Sequence, residues 1–239
     1  MANTVLHQAV TRGHADHGWL NSYHTFSFAN YYNPERMHFG VLRVLNDDTV
    51  AAGKGFGKHP HDNMEIISIP LEGDLEHSDS MGNKTIIRKG DIQAMSAGTG
   101  VAHSEYNANE DKEVKFLQIW IYPNSKNIQP QYSQVTLLAA DRKNKLQQIV
   151  SPRSKGNEGV TVQQKAWFSL GDLEMGKQVS YDIKRKENGA YIFVLKGQVT
   201  VEGRKLNTRD GFGVWETNKV SITADSDAEI LLIDVPMDI

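Results

Sequence analysis

The chain has no cysteine among its 239 residues. That absence excludes disulfides, thiolate metal ligands and cysteine nucleophiles, so any metal chemistry must rest on imidazole, carboxylate or carbonyl donors. No apolar run approaches the roughly 20 residues of a membrane span. The opening residues, Met1-Ala2-Asn3-Thr4-Val5-Leu6-His7, lack the basic stretch and apolar core of a secretory leader. A cytoplasmic protein with no membrane contact is therefore expected. A formal net charge of −3 gives no electrostatic basis for nucleic-acid binding. Long amphipathic helical periods are also missing. Histidine itself runs out early, because the last one is His103. Whatever the imidazoles do is confined to the first half.

What is present is a succession of short strand-like runs separated by turn residues. Gly40 to Leu45 leads to the turn cluster Asn46-Asp47-Asp48, and Met64 to Leu71 leads to Glu72-Gly73. Asp74 to Asp79 and Lys84 to Arg88 read as a hairpin across Ser80-Met81-Gly82-Asn83. Ile92 to Met95 and Val114 to Tyr122 follow, and the latter stops at Pro123. Residues 124–160 read as a polar connector that includes Ser151-Pro152-Arg153-Ser154-Lys155-Gly156-Asn157. Beyond it, seven further short runs lie between Ala166 and Val235. This spacing predicts an all-β sandwich or barrel.

The two halves share a pattern. Ile67-Ser68-Ile69-Pro70-Leu71-Glu72-Gly73 matches Ile192-Phe193-Val194-Leu195-Lys196-Gly197, and Gly90-Asp91 has a counterpart in Asp210-Gly211. Leu117-Gln118-Ile119-Trp120-Ile121 is echoed by Leu231-Leu232-Ile233-Asp234-Val235. A duplicated β-barrel accounts for both length and spacing. The expected division is 1–135, with an N-terminal arm and the metal chemistry, and 136–239, without ligands.

The stretch from His59 to Glu105 carries the chemistry. His59 and His61 form one i, i+2 pair, and His103 and Glu105 form another. Alternate residues of a strand share a face, so each pair can aim both donors into one cavity. An isolated H-x-H pair is commonplace in a chain with nine histidines. Here it stands with the glycine-rich approach Gly53 to Gly57, with Glu65, with Gly73 and with the second pair. Three imidazoles and a carboxylate suit iron, nickel, manganese, cobalt, copper or zinc better than calcium or magnesium. The Gly53 to Gly57 stretch is no phosphate loop, since it lacks G-K-[ST] and a following helix. Ser104 alternates away from its neighbours and is no nucleophile. The arm, residues 7–38, holds His7, His14, His17, His24 and His38 among six aromatic residues. These imidazoles are expected to bond to backbone or carboxylates, since no i, i+2 or i, i+4 pair occurs among them.

The spacing of Gly53, His59, His61, Glu65 and Gly73 resembles the first cupin motif, and Gly90, Gly98, His103 and Asn107 resemble the second. Two departures stand out: Ser96 occupies the usual proline position, and two extra residues separate Gly98 from His103. Together with Gly13-His14-Ala15-Asp16-His17-Gly18-Trp19-Leu20, His24 to Tyr32, Gly55-Phe56-Gly57 and Ser96 to Val101, they make the whole chain similar to the pirin family, and within it to bacterial pirin-like quercetinases. The resemblance implies a bicupin with one metal in the first barrel. It implies His59, His61, His103 and Glu105 as ligands, Fe(II) as the metal, and ring-cleaving dioxygenation of a flavonol such as quercetin by O2. It implies release of carbon monoxide, as in related cupin quercetinases, with Glu105 as base as well as ligand. It moves Glu65, a ligand in general cupins, to a supporting or buried hydrogen-bonded role. Phe56, Met64, Met95 and Trp120 are candidates for the pocket of a flat aromatic substrate, or else barrel core. A second implied role is a metal-binding regulator acting through a protein partner; a cupin isomerase or sugar binder would lack the arm signature. A monomer is expected, because a bicupin pairs two barrels within one chain.

Overall fold

The structure is a computed structural model that describes residues 2–155 and 158–239. Met1 and two residues of the expected connector, Gly156 and Asn157, lie outside it. The described residues form two seven-stranded and two four-stranded sheets. The first large sheet runs, edge to edge, Gln131–Thr136, Asp91–Ser96, Glu65–Glu72, Val114–Ile121, Leu42–Val50, Leu20–His24, Gly13–Asp16. Its small partner runs Gly55–His61, Val101–Asn107, Asp74–Asp79, Lys84–Arg88. The second half repeats the plan with Asn3–His7, Gly211–Trp215, Asn188–Lys196, Ala228–Pro236, Trp167–Leu173, Leu146–Pro152, Val160–Val162 and, facing it, Gln178–Asp182, Lys219–Ala224, Val199–Val201, Arg204–Leu206. This is an all-β bicupin. No described helix is long and apolar enough to cross a membrane.

The two large sheets stand back to back, which is why their central strands read as nearly unbroken apolar runs. Strand residues alternate between faces. In Val114–Ile121, Leu117, Ile119 and Ile121 enter the seam between barrels, while Phe116, Gln118 and Trp120 face the first lumen. In Ala228–Pro236, Leu231, Ile233 and Val235 meet them across the seam, and Ile230 and Leu232 fill the second lumen. A sheet buried on both faces cannot show the polar and apolar alternation of a half-exposed one.

Two sequence expectations need correction. Asn46-Asp47-Asp48 is no turn: the strand Leu42–Val50 runs straight through it. Asp47 lies between Arg12 Nη1 at 3.1 Å and Arg209 Nε at 2.8 Å, and Asp48 accepts from Ser22. Charge and hydrogen-bond partners supplied by distant segments override the local turn preference. The polar connector is also structured, for it contains the strands Gln131–Thr136 and Leu146–Pro152. Gln131–Thr136 reads as polar because it is a half-buried sheet edge. The arm is ordered, as expected, and the strand that leads into it, Asn3–His7, adds to the second barrel by pairing with Gly211–Trp215.

That crossing depends on a close approach. A Cβ on Gly211 would lie 2.1 Å from the Tyr191 hydroxyl, which bonds to His7 Nδ1 at 2.8 Å. Tyr191 is fully buried with Phe26 and Phe39 around it. Gly211→Ala is therefore an overpacking change, with an expected cost of about 1–3 kcal/mol. Thermal unfolding should show a midpoint lowered by roughly 2–12 °C, with cation content unchanged at low temperature.

Candidate metal centre

The first lumen gathers the predicted donors through strand register. Gly55–His61 pairs antiparallel with Val101–Asn107, which sets His59 opposite His103 and His61 opposite Val101. Between His103 and Glu105 the register shifts, so that Glu105 opposes Phe56. This bulge absorbs Gly57 and Lys58 and turns the histidine-bearing end of the strand. The carbonyl of Gly57 then accepts from His59 Nδ1 at 2.7 Å, which fixes the tautomer and leaves Nε2 as the free donor atom.

His59, His61 and His103 each bring a ring nitrogen within 4.8 Å of the others, with ring centroids 4.5 to 4.9 Å apart. Glu105 belongs to a second, overlapping group with His103 and His77. His77 was not singled out by the sequence reading. It lies on the neighbouring strand Asp74–Asp79, paired with Glu105 in register, and its Nε2 bonds to Asp79 Oδ2 at 3.0 Å. An H-x-D pattern beside the hairpin turn was the only available signal.

A cation fits this arrangement. His61 Nε2, His77 Nδ1 and both ring nitrogens of His103 are buried without a hydrogen-bond partner in the protein, a costly state for a neutral polar atom. Burial, reinforced by the neighbouring imidazoles, pushes His61 down to about 4 and His103 to about 3. These rings are therefore neutral at ordinary pH with lone pairs free. Glu105 is held by Ser68 Oγ at 3.1 Å from Oε1 and by Gln118 Nε2 at 2.7 Å from Oε2. Burial nevertheless raises its carboxyl to about 7, against the pull of those two donors. A positive charge in the lumen would reverse that cost.

The centre opens on a cavity of about 280 Å³. His59, His61, Glu105 and Gln118 form one side, and Phe28, Phe56, Trp120 and Leu20 supply apolar walls. Trp120 stands edge-on to both His61 and Phe28, with centroids 4.9 and 5.4 Å away. Of the four expected pocket residues, Phe56 and Trp120 line the cavity, whereas Met64 and Met95 pack with Ile66 and Val101 in a small core cluster. Glu65 is outside both donor groups. Its Oε2 accepts from Ser96 Oγ at 2.6 Å and from the Gln163 backbone at 2.9 Å.

The arm histidines depart from expectation in their partners. Only His38 bonds to backbone, at the Gly40 carbonyl; His7, His14 and His24 use Tyr191, Asn21 and Ser22. None belongs to a donor group among the described residues, but His17 and His24 line the cavity.

Comparison with known proteins bears on this geometry. A family model described as Pirin matches residues 5–121, and one described as quercetinase C-terminal cupin domain matches residues 148–235. A protein of Escherichia coli K12 named quercetin 2,3-dioxygenase is 46% identical over 234 residues, covering 97% of this chain and 98% of its own. A pirin-like protein of Caulobacter vibrioides is 40% identical, over 93% and 95% of the two chains. The crystal structure of YhhW from Escherichia coli superposes with a TM-score of 0.92 at 45% identity, covering 98% of each chain. The bacterial pirin YhhW in complex with nickel(II) gives 0.91 at 44% identity, covering 98% and 99%. With one model on each barrel and relatives of this similarity spanning nearly all of it, the chain belongs to the pirin family.

Proposed function

We propose that this protein is a metal-dependent dioxygenase that opens the central ring of flavonols such as quercetin with O2. The observation that carries the reading is the meeting, beside one aromatic-walled cavity, of the imidazoles of His59, His61 and His103 and the carboxylate of Glu105. The substrate class is supported by relatives that bear the name quercetin 2,3-dioxygenase at up to 46% identity. We assign His59, His61, His103 and Glu105 as the groups that hold the cation, and iron(II) as the cation. Nickel, manganese, cobalt, copper and zinc suit the same donors, and nickel(II) is the ion in the related pirin crystal.

When bound, the cation supplies Lewis acidity that lowers the pKa of the substrate's enol hydroxyl and holds its oxygen in place. The rest is done by side chains. Trp120, Phe28 and Phe56 make a slot for flat rings and exclude water from it. Gln118 and Ser68 hold Glu105 in one orientation. Glu105 accepts the hydroxyl proton at Oε1, the oxygen with the longer of its two hydrogen bonds.

Protein purified without chelators should hold close to one transition ion per chain and consume O2 when quercetin is added. His61→Ala should lower cation affinity at least tenfold and abolish oxygen uptake. Turnover that survives this substitution would sink the reading. The sign of proton linkage gives a second check. The imidazoles of His61 and His103 are already neutral, whereas Glu105 is mostly protonated below about 7 and must lose its proton to bind a cation. Calorimetric titration of the metal-free protein with nickel in buffers of different ionisation enthalpy should show release of roughly one proton at pH 6 and little at pH 8. Glu105→Gln should remove the difference.

A further inference from the structure

One wall of the cavity is polar and takes no part in the cation site. It is built from the arm strand Leu20–His24 and the strand Leu42–Val50, which pair so that His24 lies opposite Asn46 and Ser22 opposite Asp48. All four residues are buried, and all four line the cavity. Ser22 Oγ bonds to Asp48 Oδ1, and His24 Nε2 bonds to Ser22 Oγ at 2.8 Å. Two atoms on this wall have no partner in the protein: His24 Nδ1 and Asn46 Oδ1.

Counting hydrogens along the chain Asp48–Ser22–His24 shows what it can recognise. Ser22 has one proton to give. With Asp48 ionised, that proton goes to Asp48, His24 Nε2–H donates to Ser22, and Nδ1 is left as an acceptor. With Asp48 protonated the chain reverses, and Nδ1 carries a hydrogen. Burial holds Asp48 at about 7, so both states are accessible near neutrality. A hydroxyl is both donor and acceptor and answers either state; a C–H or an ether does not. Beside it, Asn46 Oδ1 calls for a second donor. His24 and Asn46 stand opposite one another on paired strands, with backbones about 5 Å apart, so two neighbouring hydroxyls on one ring present one group to each side chain.

Resting on the reading of this cavity as a flavonol site, we propose that His24 and Asn46 bind the two adjacent hydroxyls of a catechol ring, with Ser22 and Asp48 as positioning residues that fix the His24 tautomer. The centre at His59, His61, His103 and Glu105 would act on the enol end of the ligand. The polar wall would hold the catechol end and select for it, since a ligand without the hydroxyls leaves these buried groups unpaired.

Three flavonols test this, because they differ only in the hydroxyls of one ring: quercetin with two adjacent, kaempferol with one and galangin with none. Binding is read as quenching of tryptophan fluorescence in the iron(II)-loaded protein without oxygen, so turnover plays no part. The expected result is a ladder, each lost hydroxyl weakening binding by about 2- to 12-fold, the worth of one neutral hydrogen bond. His24→Phe should abolish one step and Asn46→Leu the other, whereas general loosening of the fold would weaken all three ligands alike. Ser22→Ala, which keeps the imidazole and removes only its anchor, should reduce the same step as His24→Phe. Equal binding of the three flavonols, or a ladder unmoved by these substitutions, overturns the proposal. A normal ladder with no oxygen uptake from any of the three would instead overturn the dioxygenase reading and leave this one standing.

Discussion

The proposed cation site depends on a single register: His59 opposite His103 in the pairing of Gly55–His61 with Val101–Asn107. Side chains alternate across a strand, so a slip of one residue would send every donor to the outer face. In that register both i, i+2 pairs share the inner face, and the bulge at Gly57 and Lys58 brings Phe56 opposite Glu105, so that its ring also lines the cavity. It also places the Gly57 carbonyl where it can hold His59 by Nδ1. Backbone geometry thus fixes the direction of one strand and the tautomer of His59 together. Gly55 belongs to the same device, because a Cβ there would lie 2.2 Å from the Glu105 carbonyl oxygen.

The second barrel shows what the same fold becomes without that demand. Its strands Gln178–Asp182 and Lys219–Ala224 pair as the two ligand strands do, with Val179 opposite Ile222 and Tyr181 opposite Val220. Where the first lumen holds imidazoles, the second is filled by Tyr181, Val220, Ile222, Ile192, Val194 and Leu232. Its buried carboxylate, Asp234, is fully engaged by Tyr181, Asn188 and the Lys184 backbone. A lumen packed with branched apolar side chains stabilises the fold by burial, whereas one lined with unpaired imidazoles does not. The second barrel and the seam therefore supply packing that the first lumen forgoes, and the crossing of Asn3–His7 ties the arm to that stable half.

Much of this was legible because it is written in spacings. Two i, i+2 donor pairs, glycines at turns and the echo between halves are properties of sequence order, and the barrels follow from them. What was missed depends on contacts between segments far apart in the chain. Asn46-Asp47-Asp48 has the composition of a turn, and only Ser22, Arg12 and Arg209 turn it into the middle of a strand. Met64 and Met95 are apolar residues near the ligands, and nothing local distinguishes them from Trp120, which faces the cavity. His77 has only Asp79 as an i, i+2 partner, and His24 stands in no such pair. One reaches the donor cluster through cross-strand register, the other reaches the cavity wall through the arm.

Glu65 shows how a motif can keep its residue and change its work. In the general cupin pattern this position is a ligand, yet here its carboxylate turns from the lumen to the seam and takes two donors, one of them the backbone of Gln163 in the second half. Arg153 braces both partners, donating to Ser96 Oγ and to Gln163 Oε1. Ser96, the residue in the place of the usual proline, is what makes this possible, since proline has no hydroxyl to offer. The hydroxyl at position 96 and the place of Glu65 outside the donor groups thus go together. The Glu65 carboxylate, outside the donor groups, becomes a tie between barrels, whereas Glu105, on the facing small sheet, stays in the lumen.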